Sequence, residues 1–138
     1  MVNYFGLNMD LLEKAVVLEN EASEFGFQWE TTDQIMAQIQ SECIEINEHL
    51  NKGIEQANQA ELQEEVGDLL HAVFSLCVFC QFSPEVTLEK TLTKFEHRLM
   101  AVKQLAAAQG LDTLEGCSFD ELMVYWNEAK KKMSSVVK

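Results

Sequence analysis

Apolar residues recur along the chain at helical spacing, and the breaks between the runs are marked by glycine, proline or a capping side chain. Leu11, Leu12, Ala15, Leu18, Ala22 and Phe25 fall on one side of a helix from about Met9 to Phe25, with Gly26 as its stop. The loop GFQWE follows. Thr31 with Gln34 three residues later forms a capping-box pattern, opening a second helix whose stripe is Ile35, Ile39, Cys43, Ile46 and Leu50 and which ends near Gly53. A third helix runs from about Asn58 to Cys80 and contains EEVGDLLHAVFSLCVFC, acidic at its head and apolar from Leu69 onward. Ser83-Pro84-Glu85 starts a fourth, with Leu88, Leu92, Phe95, Leu99 and Val102 as its seam and Gly110 as its end. Ser118 and Glu121 open the last helix, the lysines of its final turns suit the negative end of the helix dipole, and the tail SSVVK is read as frayed.

These five segments predict an all-α helical bundle. No stretch alternates with period two over a useful length, and no internal repeat or low-complexity segment interrupts the pattern. The third helix is too apolar for a two-layer monomer, so the reading is a four-helix core completed by dimerisation.

With 138 residues, one proline and six glycines, the chain has the size of one domain and the punctuation of long helices. No apolar run reaches the length of a membrane span and no basic leader precedes an apolar stretch, so the expectation is a cytoplasmic protein with no membrane partner. The net charge of -13 argues against a grip on a nucleic-acid polymer, although small phosphates remain accessible through a divalent cation. Cys43, Cys77, Cys80 and Cys117 are read as buried free thiols, because Cys77-Val-Phe-Cys80 lies inside an apolar run with no second CxxC.

The chemistry concentrates in carboxylates. Glu42 and Glu45 are three apart on the second helix, Glu42 beside the seam and Glu45 further round, with Gln38 and His49 near it. Glu65 and Asp68 repeat that spacing on the third, one turn after Glu61. Either pair alone is an ordinary solvated surface feature. Two such pairs on successive helices, in a chain with 10 basic and 23 acidic residues, point to a hard divalent cation held by oxygen ligands. A di-iron bundle would want two Glu-x-x-His motifs; Asp68-x-x-His71 is one imperfect copy, and His71 is read instead as a hydrogen-bonded core histidine.

FGFQW before a helix, Glu42-x-x-Glu45 within it, EEVGDLL, KFEHR (Lys94 to Arg98) and WNEAK (Trp126 to Lys130) occur in an order that resembles the MazG family of all-α nucleoside triphosphate pyrophosphohydrolases. The resemblance covers about residues 25 to 132 and implies a single MazG-like domain over 1–138. It implies hydrolysis of a nucleoside triphosphate to the monophosphate and pyrophosphate. Glu42, Glu45, Glu65 and Asp68 would be ligands of Mg²⁺, with Mn²⁺ as a substitute. Lys94 and Arg98 would bind phosphate, with Lys130 assisting, in a homodimer or homotetramer. Lys94 and Arg98 are four apart and can reach one phosphate chain; Phe27, Trp29 and Trp126 offer faces for a base, or plain core packing. Two positions depart from the family: Ser41 precedes Glu42 where a second glutamate is usual, and Gln38 stands where a lysine is frequent. Those departures keep open a catalytically silent, nucleotide-binding helical dimer. The phosphoribosyl-ATP pyrophosphohydrolase of histidine synthesis shares the acidic pairs and is a further alternative.

Overall fold

The computed structural model describes residues 10–53 and 58–136. Five helices appear in chain order: α1 (Leu11–Phe25), α2 (Thr32–Asn51), α3 (Gln59–Phe79), α4 (Pro84–Ala108) and α5 (Phe119–Val136). Among the described residues there is no strand, so the all-α expectation holds. The chain forms two compact units divided between Thr87 and Leu88.

Each helix begins where a side chain satisfies the free amides of its first turn. Asp10 Oδ1 accepts from the Glu13 N–H at 2.9 Å. Thr31 and Gln34 close a reciprocal capping box. Asn58 Oδ1 accepts from the Ala60 N–H at 3.1 Å, and Ser83 and Ser118 accept from the amides of Val86 and Glu121. Each such cap contributes about 1 kcal/mol. At the end of α1, Gly26 takes φ 101° and the Phe27 N–H turns back to the Ala22 carbonyl at 2.8 Å. The end of α3 has the same wrap, the Phe82 N–H reaching the Cys77 carbonyl at 2.8 Å, but there Gln81 carries the left-handed φ of 64°. A residue with a Cβ pays about 1 kcal/mol or more for that conformation.

In the first unit α3 packs against both α1 and α2. The covered residues of α2 are Ile35, Ile39, Glu42, Ile46 and His49, and those of α3 include Leu62, Glu65, Leu69, Ala72 and Leu76. Both sets step by three and four, the spacing of a bundle seam. The expected α2 stripe is thereby corrected at two positions. Cys43 and Leu50 are exposed, and Glu42 and His49 occupy the seam in their place. The geometry of the helix, not polarity, decides which residues face the neighbour.

Other expectations shift as well. The four cysteines are free, but Cys43 is exposed and the other three only half-buried. Among the described residues the α4 seam is largely uncovered: Leu88, Leu92, Phe95 and Leu99 are exposed and Val102 is half-buried, while the residues described as buried in the second unit are Ala101, Ala106 and Ala129. Helix α5 continues through Val136, so the last turn holds none of the lysines and Ser134–Val136 are helical; the final two residues of that tail lie outside the described residues. No single helix among the described residues is long and apolar enough to cross a membrane.

Candidate metal centre and phosphate groove

The two seam carboxylates meet. One oxygen each from Glu42, Glu45 and Glu65 lies within 4.8 Å of the others, so α2 and α3 bring three of the four expected ligands together. Asp68 is exposed, one step off the α3 seam, and does not join that set; Glu61 and Glu64 are exposed as well. Glu42 is only 7% exposed. Gln38 Nε2 donates to its Oε1 at 2.7 Å, and its Oε2 is buried with no hydrogen-bond partner among the described residues. His49 Nε2 stands 3.9 Å from Glu65 Oε1.

Three carboxylates at this separation cannot all remain ionised without a counter-charge. The Glu65 carboxyl is accordingly pushed up from 4.5 to about 7, first by its hydrogen bond with Glu45, then by partial burial, then by the negative charges of Glu45 and Glu42. A proton stands in for the missing positive charge. The donor set is all oxygen, half-buried, with one orphaned acceptor, which fits a hard divalent cation and not a soft one. A second acidic group, Asp10, Glu13 and Glu85, is fully exposed and shows no such orphaned atom.

In the second unit, Lys94, Arg98 and Lys130 line an open groove of about 520 Å³, joined by Lys90, Thr93 and His97. Lys94 and Arg98 sit one turn apart on α4, and Lys130 comes from α5. The Arg98 guanidinium lies 5.6 Å from the centre of the Trp126 ring, and that ring also meets Phe95 at 5.9 Å. Stacking on an aromatic face holds an arginine without neutralising it. Arg98 Nε is buried without a partner among the described residues. Trp126 therefore orients Arg98.

Trp29 lies in the first unit, on a cleft between α1, the loop at 26–30 and α3. Glu19, Ser75 and His71 meet on that cleft, a grouping that no spacing along the chain announces. Glu19 Oε1 accepts from Ser75 Oγ at 2.7 Å and lies 2.7 Å from His71 Nε2. His71 is thus not a core histidine; its side chain is 67% exposed and it pairs with α1. This engagement also removes it from the imperfect di-iron motif.

A family model described as the MazG nucleotide pyrophosphohydrolase domain matches residues 30–102. The chain belongs to the MazG family. The matched stretch holds the whole carboxylate centre together with Lys94 and Arg98, and stops short of Trp29, Trp126 and Lys130. Over 125 residues this MazG chain is 27% identical to the nucleoside triphosphate pyrophosphohydrolase of Escherichia coli (strain K12), covering 91% of this chain and 46% of that protein. Over 119 residues it is 32% identical to the nucleoside triphosphate pyrophosphohydrolase/pyrophosphatase MazG of Thermotoga maritima, covering 86% of this chain and 44% of that protein. An uncharacterized Bacillus subtilis protein, YabN, is 31% identical over 77 residues. This MazG chain spans less than half the length of the relatives it matches.

Proposed function

We propose that this MazG domain is a nucleotide pyrophosphohydrolase that splits a nucleoside triphosphate into the monophosphate and pyrophosphate, with Mg²⁺ as its ion and Mn²⁺ as a substitute. The observation that carries the reading is the convergence of Glu42, Glu45 and Glu65, with one Glu42 oxygen buried and without a partner among the described residues, in a chain of this family. The two curated relatives named above bear that activity in their names.

Glu42, Glu45 and Glu65 would hold the ion, and Asp68 on α3 is assigned as the fourth carboxylate. A bound Mg²⁺ supplies Lewis acidity and neutralises triphosphate charge. Gln38 keeps Glu42 Oε1 fixed, which leaves Oε2 as that residue's ligating atom. A carboxylate of the centre, in its ionised form, would orient the attacking water. Lys94, Arg98 and Lys130 would bind phosphate, the flat Arg98 fork being held ready by Trp126. Phosphoryl-type transfer asks for little more than such positioning and charge neutralisation. The exposed apolar side chains of α3 and α4 support assembly as a homodimer or homotetramer, and the protein is assigned to the cytoplasm.

A panel of standard and modified nucleoside and deoxynucleoside triphosphates, assayed for pyrophosphate with Mg²⁺ or Mn²⁺, tests the reading. Release abolished by EDTA and by Glu42→Ala supports it. No release across the panel, with nucleotide still bound in calorimetry, would replace it by a silent nucleotide-binding module, for which Ser41 is the sequence argument.

A further inference from the structure

The cleft around Trp29 differs in chemistry from the cationic groove. Two overlapping cavities, of about 310 and 480 Å³, share Glu19, Phe27, Gln28, Trp29 and Ser75. That is the size of a small-ligand pocket. Among the described residues neither lining includes a lysine or an arginine, and the one basic side chain there, His71, is already engaged by Glu19, so the cleft is poorly suited to a phosphate. It offers instead the rings of Phe27, Trp29 and Phe79, side-chain amides and one mostly covered carboxylate, Glu19, whose side chain is 17% exposed.

Glu19 is fixed from two sides. Ser75, itself 3% exposed, and His71 both bond its Oε1. An oxygen has two lone pairs, so Oε1 is filled and the acceptor capacity that remains is on Oε2. Gln28 is also oriented: its Oε1 accepts from Ser23 Oγ at 2.7 Å, which leaves its amide N–H groups as the free donors. An aromatic-walled cleft with a rigid anionic acceptor suits a flat heterocycle that carries an N–H donor.

We propose that Glu19 is a specificity-determining residue, and that this cleft takes a nucleobase bearing an exocyclic amino group in preference to one without. The proposal rests on the hydrolase reading for its substrate but not for its pocket. The physical reason is charge. An amino group presents N–H bonds free of a second carbonyl. The lone N–H of a uracil- or thymine-type imide is flanked by two carbonyl oxygens, and that of hypoxanthine by one, and these oxygens repel a carboxylate. Glu19→Gln keeps the shape and removes the charge, so it would narrow the preference.

The test compares pairs that differ at the amino group: CTP with UTP, and ATP with ITP. In the wild-type chain kcat/KM favours the amino-bearing member of each pair by about tenfold or more, the value of one charge-assisted hydrogen bond. In Glu19→Gln that ratio falls toward one. Equal rates within both pairs for the wild type, or an unchanged ratio in Glu19→Gln, would overturn the proposal. A second measurement needs neither turnover nor a mutant: the indole N–H resonance of Trp29 is followed by NMR as cytidine or uridine is added. Movement with cytidine and not with uridine at equal concentration supports the assignment; movement with both alike, or with neither, refutes it. Absence of all turnover would sink the hydrolase reading, and the NMR result alone would then decide the pocket.

Discussion

The carboxylates of α2 and α3 and the cations of α4 and α5 are both gatherings of like charge, yet they are held on different terms. Glu42 and Glu65 stand in the packing seam, where water screens them only in part, and their oxygens come within 4.8 Å of one another and of Glu45. Lys94, Lys130 and Lys90 are exposed along an open groove, where solvent carries most of the repulsion, and Arg98 is braced by Trp126. The acidic centre is therefore strained until something positive arrives, and the strain pushes the Glu65 carboxyl up to about 7, through its hydrogen bond with Glu45, partial burial and the neighbouring negative charges. The basic groove carries no such strain. One region demands its ligand to be comfortable; the other merely attracts it.

Replacing a seam acid should break this contrast most severely. Glu42→Ala or Glu65→Ala is expected to lower pyrophosphate release at least about a hundredfold, since even outer partners of a metal ligand cost 10–100-fold. The same variants should lose the rise in melting temperature on adding Mg²⁺, which in the wild type corresponds to about 2.7 kcal/mol at a hundred times Kd. A wild-type melting curve unmoved by millimolar Mg²⁺ and Mn²⁺ would contradict the metal assignment. Substitutions in the groove should act on a different quantity. Lys94→Ala and Arg98→Ala are each expected to raise KM about tenfold, as loss of one charge-assisted contact would, while the Mg²⁺-dependent melting shift persists. A lost shift in Lys94→Ala would mean the two regions are not separable in this way.

Acidity sharpens the comparison further. With no metal present, folded Glu65 keeps its proton up to about pH 7, whereas the unfolded chain releases it near 4.5. The folded state thus binds the extra proton between those values, and the stability this contributes is full below about 4.5 and lost as pH rises through 7. Mg²⁺ competes with that proton, so the metal-induced melting shift should grow from pH 5.5 to pH 8. In Glu65→Gln the metal-free melting temperature should lose this component of its pH slope. The smallest effect lies between the two regimes, at Gly67. A Cβ there meets nothing within 4 Å, so Gly67→Ala should stabilise α3 by about 1 kcal/mol in denaturant titration. Destabilisation instead would indicate that a second copy closes over that position.

Helix boundaries were legible because they are settled locally. Asp10, Thr31, Asn58, Ser83 and Ser118 satisfy amides two or three residues away, and Gly26 permits a left-handed turn wherever it occurs. The carboxylate centre was half legible. Spacing put Glu42 beside the seam and the structure puts it in the seam; spacing treated Glu65 and Asp68 alike, and only Glu65 joins the cluster. Which of two residues three apart faces a neighbour depends on the rotation of α3 about its axis, and that is set by packing along its whole length. His71 shows the same limit, since its partner Glu19 is 52 residues away and only the approach of α1 to α3 brings them together.

The sequence by itself determined five helices, the caps Thr31, Ser83 and Ser118, an excess of acids on α2 and α3, and a pair of cations one turn apart on α4. Those properties follow from hydrogen bonds and periodicity within a few residues. Tertiary structure alone decided that Glu42 and Glu65 share a seam, that Gln38 clamps one of them, that Trp126 carries Arg98, and that Glu19 is locked by Ser75 and His71 in the cleft that Trp29 also lines. Each of these is a contact between side chains whose meeting costs chain entropy and is recovered only when whole helix faces are buried together.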